Sequence, residues 1–101
     1  MKASELVTAL KPLEGHKVKL PSMLWIGVVT VEELAPEYRD RPGDNVLLAD
    51  GTLRDNGDRT TTPMGIAFPA APIERIEQRG HYLDMHMKNG RIMSLLIGES
   101  L

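Results

Sequence analysis

A chain of 101 residues with 26% charged side chains and a formal net charge of −2 suits one small domain, and it excludes both a disordered acidic tail and a strongly basic nucleic-acid binder. The absence of cysteine excludes disulfides, thiolate nucleophiles and Cys-ligated zinc. The longest mainly apolar run, Met23 to Val31, is about half the roughly 20 residues that cross a bilayer, and no signal-peptide pattern is seen. We therefore expect residues 1–101 to form one soluble, cytoplasmic domain.

The first residues predict a short N-terminal helix. Leu6, Leu10 and Leu13 recur at helical spacing, and Ser4 is placed to cap the helix. Pro12 prevents a regular helix from continuing much beyond Leu10, because proline lacks the backbone donor and its ring clashes with the preceding turn. We expect helix only in this part of the chain.

Short strand-like runs follow, separated by turns rich in proline and glycine, as in an all-β barrel or sandwich. His16 to Leu20 alternates, with Val18 and Leu20 on one face, and this pattern predicts a half-exposed strand. Met23 to Val31 is apolar on both faces, which predicts a central strand covered on both sides.

Two further strands are predicted at Asn45 to Ala49 and at Met64 to Phe68. Ile73 and Ile76 are three residues apart, a spacing that favours a helical or 3₁₀ turn over a strand. Two strongly polar stretches predict solvated loops, and they occupy residues 32–44 and 54–63.

A hairpin is predicted near the end of the chain, because Asn89-Gly90 is a strong signal for a two-residue turn. Such a turn sets Met87 opposite Ile92 and Met85 opposite Ser94. The face of the hairpin that carries these pairs is mostly apolar, and we expect it to form the core.

The second face of the predicted hairpin is too apolar for a surface that only contacts water. It carries Tyr82 opposite Ile97, together with Met93 and Leu95. Either the N-terminal helix or another protein must cover this face. These four residues are our candidate interface, and the candidate partner is a second copy of the chain or a different protein.

Catalytic and metal-binding constellations are not supported by the spacing of the polar residues. In the predicted register, Ser94 points to the opposite face from Asp84 and His86, which excludes a Ser-His-Asp triad. Asp84 and His86 supply only two of the three or four ligands that zinc needs. The acidic stretch at 50–58 does not fit a calcium loop, because Arg54 stands where a ligand is required. We predict no enzyme activity, no cofactor and no metal.

One family resemblance is carried by the order of elements and by two short motifs. A short helix, a first strand, a bent second strand, Asn45 before an apolar run and a later Arg79-Gly80 pair together resemble the Sm-like small β-barrels. The resemblance implies a five- or six-stranded antiparallel barrel of the Sm or SH3-like kind. In that family the Asn and the Arg-Gly pair line an RNA-binding rim, so it implies Asn45, Arg79 and Gly80 as RNA-binding residues.

Two functions of different class follow from these observations. The first is a non-enzymatic protein-interaction or self-associating module, which uses the second face of the hairpin. The alternative is an Sm-like RNA-binding barrel, in which Asn45 and Arg79 are assisted by basic side chains on exposed strands. We rank the interaction module first.

Overall fold

A computed structural model describes residues 1–34, 44–51 and 65–101 of the protein. Within them lie one α-helix, a 3₁₀ turn and a set of strands, bounded as follows: α1 (Ala3–Leu10), the 3₁₀ turn (Lys11–Leu13), β1 (His16–Lys19), β2 (Trp25–Glu33), β3 (Asn45–Asp50), β4 (Gly65–Pro69), β5 (Ile73–Arg79), β6 (Tyr82–Met87) and β7 (Ile92–Ser100). Most of the predicted loop at 32–44, all of that at 54–63 and Met64 lie outside the described residues.

All of these strands belong to one antiparallel sheet in the order β4-β3-β2-β1-β7-β6-β5. β7 pairs with β1 on one side and with β6 on the other, and so joins two meanders into a single sheet. β4 and β5 are its two edges, so the sheet is not closed. The mainly β fold with a short N-terminal helix is confirmed, whereas the closed barrel of five or six strands is wrong: the described residues contain seven strands in an open sheet.

The N-terminal helix is confirmed, although its cap differs from the prediction. Lys2 is the N-cap residue, and its backbone N–H donates to the Glu5 carboxylate at 3.0 Å. Ser4 lies inside the helix, so its predicted capping role is wrong. The helix ends at Leu10, and Pro12 lies in the 3₁₀ turn that follows. Proline therefore ends the helix as expected.

The second strand begins two residues later than predicted, and its first part is not covered. Met23 and Leu24 lie in the turn before β2 and are 68% and 52% exposed, and Trp25 is 47% exposed. The strand at the centre of the sheet order is β1, not β2. A tight hairpin joins β1 to β2. The apolar run of Met23 to Val31 therefore contains an exposed turn, the half-exposed Trp25 and a strand segment that is mostly buried.

The predicted helical turn near residue 73 is wrong, because this segment forms edge strand β5. Ile73 lies opposite Met87 and Ile76 lies opposite Met85, with a register shift between Ile73 and Arg75. One extra residue on β5 forms a β-bulge, and it brings two residues three positions apart onto the same face. A helix-like spacing can thus arise within a strand, and β2 has an irregularity of the same kind against β3.

The core lies between α1 and one face of the sheet, which we call the core face. Helix residues Leu6 and Leu10 are fully buried against it. Its largest buried strand side chains are Val18, Val28, Val31, Val46, Leu48, Ile73, Met85 and Leu95. We call the opposite side of the sheet the outer face. Among the described residues, no helix has the length and apolar character needed to cross a membrane.

Candidate functional site

The hairpin between β6 and β7 turns through three residues instead of two. The Met87 N–H donates to the Arg91 carbonyl at 2.8 Å, and the Gly90 N–H donates to the Met87 carbonyl at 3.0 Å. Gly90 has a φ of 88°, whereas Asn89 does not have a positive φ. This is the three-residue hairpin loop with glycine in the left-handed position. The predicted hairpin exists, but its predicted turn is wrong.

The longer turn shifts the register of the hairpin by one residue, and this moves every β7 side chain to the other face. Leu95 is fully buried on the core face, where Met93 and Ile97 also pack. Tyr82 lies on the outer face and is 37% exposed. The structure therefore separates Tyr82 from the other three residues of the candidate interface, which contact the chain's own core.

A row of five residues, each paired with the next across neighbouring strands, crosses the outer face, and we call it the outer row. Trp25 of β2 pairs with Lys19 of β1, and Lys19 pairs with Leu96 of β7. Leu96 in turn pairs with Tyr82 of β6, which pairs with Arg79 of β5. Neighbouring strands lie about 4.8 Å apart, so the row is about 19 Å long. It contains two aromatic side chains, one leucine and two cations, in the order Trp25, Lys19, Leu96, Tyr82 and Arg79.

At one end of the outer row, the indole of Trp25 packs directly against the backbone of β7. A Cβ atom at Gly98 would lie 2.7 Å from Cζ3 of Trp25, so only glycine allows this approach. The Lys19 ammonium lies 6.0 Å from the centre of the indole ring, at the limit of a cation–π contact. A cleft of about 490 Å³ opens beside the ring, and it is lined by Lys17, Trp25, Ile26, Gly27, Gly98, Glu99 and Leu101.

At the other end, Arg79 is held in place by a carboxylate and an aromatic ring. Its Nε donates to Asp84 Oδ2 at 2.9 Å, and its guanidinium lies 4.8 Å from the centre of the Tyr82 ring. The Ser94 hydroxyl donates to Asp84 Oδ1 at 2.6 Å. The hydrogen bonds from Arg79 and Ser94 hold the pKa of Asp84 below its ordinary value. The Asp84 side chain is 9% exposed, while that of Arg79 is 62% exposed and available to a partner.

The observed register also places Ser94, Asp84 and His86 close together on the sheet. Ser94, Asp84 and His86 share the outer face, so the face argument used to exclude a triad is wrong. The contacts nevertheless do not form one: the Ser94 hydroxyl donates directly to Asp84, and His86 Nε2 lies 3.3 Å from a Glu77 carboxylate oxygen. A triad requires the imidazole between the hydroxyl and the carboxylate. In this cluster Asp84 accepts hydrogen bonds from both Ser94 and Arg79, and it thereby orients the Arg79 guanidinium.

The residues implied by the Sm-like resemblance are not brought together. Asn45 begins β3 and is buried, whereas Arg79 ends β5 and is followed by Gly80 in a turn. The Ala70 N–H donates to the Asp44 carbonyl, so it is the beginning of β5 that lies near Asn45. Arg79 lies at the opposite end of that strand, about 20 Å further along. A shared rim is therefore not formed within one chain.

Sequence reasoning missed two residues of the outer row, namely Trp25 and Leu96, whereas Lys19 is one of the exposed basic side chains that the RNA-binding alternative uses. Trp25 was taken as part of a covered strand, and Leu96 was assigned to the core face by the two-residue turn. One signal could have found the row: Pro21-Ser22 marks a turn between the alternating HKVKL strand and the tryptophan. A hairpin at that turn sets Trp25 on the face of the two lysines.

Comparisons of this chain with protein-family models, with curated proteins and with solved structures found no match. Residues 1–34, 44–51 and 65–101 contain no group of three or more His, Asp or Glu side chains placed to hold a metal ion. The exposed aromatic and basic side chains of the outer face are the features of the described structure that bear on function.

Proposed function

We propose that this protein is a non-enzymatic interaction module, which docks a second copy of itself or another protein through the outer row. The observation that carries the proposal is the position of Trp25, the chain's one tryptophan. It is 47% exposed in the same row as Tyr82 and Arg79, instead of being buried in the core. Trp, Tyr and Arg are the residue types most enriched at binding hot spots.

Both ends of the outer row are held in place before any partner binds. Gly98 and Lys19 flank the indole of Trp25, and Asp84 and Tyr82 position the guanidinium of Arg79. Side chains that are already ordered lose little conformational entropy on association. The row thus has the rigidity expected of anchoring residues.

The turn beside Trp25 supports the same surface. Met23 has a φ of 70°, the one positive φ of a non-glycine residue in the described chain. The Met23 N–H donates to the Leu20 carbonyl, and the Leu20 N–H donates to the Leu24 carbonyl, as in the turn that places Gly90 at the corresponding position. A non-glycine residue in this conformation costs on the order of 1 kcal/mol. An exposed methionine is thus kept where glycine would be more stable, and it extends the apolar surface beside the indole.

RNA binding remains the second candidate function. The observation that favours it is the presence of Lys17 and Lys19 beside the exposed ring of Trp25, since cations next to a stacking surface suit a single strand. The carboxylates of Asp84 and Glu99 on or beside the same face would repel phosphates. We therefore place it below the interaction module.

The proposal is tested by removing the two aromatic anchors and measuring association. Trp25→Ala with Tyr82→Ala should lower the solution mass in sedimentation velocity if copies associate. If the partner is another protein, it should cross-link in the source cells to a photoreactive benzoylphenylalanine introduced at position 24. The two alanine substitutions should abolish this cross-link. Ile92→Ala is the matched control, because Ile92 is 56% exposed on the same face but outside the row.

Both the double variant and the Ile92→Ala control must retain the circular dichroism spectrum of the wild type. If the aromatic pair can be replaced without any change in solution mass or in the cross-linked proteins, the outer row is not a docking surface. An equal loss in Ile92→Ala would also contradict the assignment, because it would show a general effect of surface apolarity.

A further inference from the structure

We infer that the occupant of the outer row is a second copy of this chain, related to the first by a two-fold axis that runs along β7 and passes Leu96. This partner is a more specific form of the proposed function and rests on it. The outer faces of the two sheets pack against each other, so that each residue of one row meets a residue of the other row. The partner is identified by the order of the side chains in the row.

The outer row is complementary to its own reverse. Its order is Trp25, Lys19, Leu96, Tyr82 and Arg79, with Leu96 in the middle. An axis parallel to the strands exchanges the two halves of the row between the copies, because a two-fold interface pairs one patch with itself. Trp25 of each copy then lies opposite Arg79 of the other, and Lys19 lies opposite Tyr82. All four of these contacts join an aromatic side chain to a cation, and leucine meets leucine at the axis.

Each of the four contacts has the chemistry of a cation–π interaction, in which a cation lies within about 6 Å of the centre of an aromatic ring. The row already makes such contacts within one chain, since Arg79 lies 4.8 Å from the Tyr82 ring and Lys19 lies 6.0 Å from the Trp25 ring. The rings of Trp25 and Tyr82 keep free surface, because these residues are 47% and 37% exposed. Packed sheets lie about 10 Å apart, and side chains from both faces fill that space. Each cation can therefore lie between a ring of its own copy and a ring of the other.

The strand at the axis suits contact with its own copy. On either side of Leu96, the outer face of β7 carries Ser94 and Gly98, so this part of the strand has no charged side chain there. Residues on a two-fold axis meet their own counterparts, and a charge at this place would meet a like charge. The Ser94 hydroxyl already donates to Asp84 and needs no partner from the other copy. The middle of the row can thus be buried without an unpaired charge.

The other two-fold arrangement of the same two faces is disfavoured. An axis along the row would place every residue opposite its own counterpart, with Lys19 against Lys19 and Arg79 against Arg79. Like charges across an interface oppose association. An unrelated partner would require no relation between the two halves of the row, whereas a dimer with its axis along β7 requires the relation that is observed.

Cross-linking at the axis tests the arrangement directly, because the chain contains no cysteine and one introduced thiol is unique. Leu96→Cys should form a covalent dimer with a bismaleimide linker that spans about 10 Å, the separation of packed sheets. Glu77→Cys is the matched control: it lies on the outer face of β5, so its two copies would be about 19 Å apart across the axis. We expect linkage of Leu96→Cys to be at least tenfold faster. Equal rates, or no linkage of Leu96→Cys, would overturn the inference.

An exchange of side chains between two copies tests the contact of Lys19 with Tyr82. Lys19→Glu loses its attraction to the opposite ring, and Tyr82→Lys places a lysine opposite Lys19, so each variant should associate at least tenfold more weakly than the wild type. An equimolar mixture should recover a dimer in sedimentation velocity, because Glu at position 19 of one copy then meets Lys at position 82 of the other. Lys88→Glu, at the tip of the β6–β7 hairpin, is the control and should leave association of the wild type unchanged.

All variants must keep the circular dichroism spectrum of the wild type. If Tyr82→Lys does not fold, Lys19→Glu mixed with the wild type replaces the exchange, and it should form mixed dimers more weakly than wild-type copies pair with each other. A folded mixture of the two variants that stays monomeric would contradict the proposed axis, and so would an equal loss of association in Lys88→Glu.

The outcomes also separate this dimer from the docking function on which it rests. If Trp25→Ala with Tyr82→Ala lowers the solution mass but neither exchange nor cross-linking succeeds, copies associate in a different arrangement and the proposed axis is wrong. If the wild type is a monomer and the alanine pair abolishes the cross-link to another protein, the second copy is wrong and the docking function stands. If the alanine pair changes neither measurement, both proposals fall.

Discussion

Leu83 and Leu95 lie directly opposite each other across β6 and β7, and both are buried on the core face. Leu95→Ala should therefore lower the free energy of unfolding by about 2–5 kcal/mol, because it removes buried methyl groups and leaves a cavity. Urea denaturation measures this change. Leu95→Glu should prevent folding altogether, since a carboxylate would be buried without a partner.

The neighbouring residue provides the control for this register. Leu96 lies on the outer face, partly exposed between Lys19 and Tyr82. Leu96→Ala should cost less than about 1 kcal/mol of stability, as is usual away from the core. A large loss from Leu96→Ala together with a small loss from Leu95→Ala would contradict the observed register.

A substitution at Gly90 tests the three-residue turn. Its φ is 88°, and no heavy atom lies within 4 Å of a Cβ built there, so the cost of a side chain comes from the backbone alone. Gly90→Ala should therefore lower the stability by roughly 1–2 kcal/mol. Gly90→Asn should cost less, because asparagine tolerates this conformation. Equal melting temperatures for Gly90→Ala and the wild type would count against the turn.

The equivalent position in the first hairpin predicts a change of the opposite sign. Met23 adopts a φ of 70° in a turn of the same kind. Met23→Gly should raise the free energy of unfolding by up to about 1 kcal/mol, since glycine adopts this conformation without strain. The same variant should weaken docking, because an exposed apolar side chain is lost. A stabilised variant with undiminished association would show that Met23 lies outside the docking surface.

The pH dependence of stability provides a test of the Asp84 cluster. Hydrogen bonds from Arg79 and Ser94 hold the folded-state pKa of Asp84 below its ordinary value of 3.8. The stability contributed by the carboxylate is therefore fully present above that ordinary value and is lost as the pH falls through the lower folded-state pKa. Asp84→Asn should be less stable than the wild type at pH 7, and the difference should shrink below pH 3.8. Urea midpoints across this range measure it, and a gap independent of pH would contradict the assigned ionisation.

Local features of the sequence were sufficient to predict several elements. The leucine spacing before Pro12 predicted the helix and its end, because both depend on interactions within a few residues. The alternation from His16 to Leu20 predicted a half-exposed strand, and the structure confirms it with Val18 and Leu20 buried. A hairpin at Asn89-Gly90 was likewise predicted from residues that are neighbours in the chain.

The composition of the outer row was decided by tertiary structure. The β7 side chains that meet the core depend on whether the hairpin turns through two residues or three. Because the side-chain period of a strand is two, a difference of one residue exchanges Leu95 with Leu96 on the core face. In the same way, pairing with β6 makes β5 a bulged strand despite the helical spacing of Ile73 and Ile76. The outer row exists only because five strands pair in one register, and pairing between distant segments is not encoded in the pattern of any one of them.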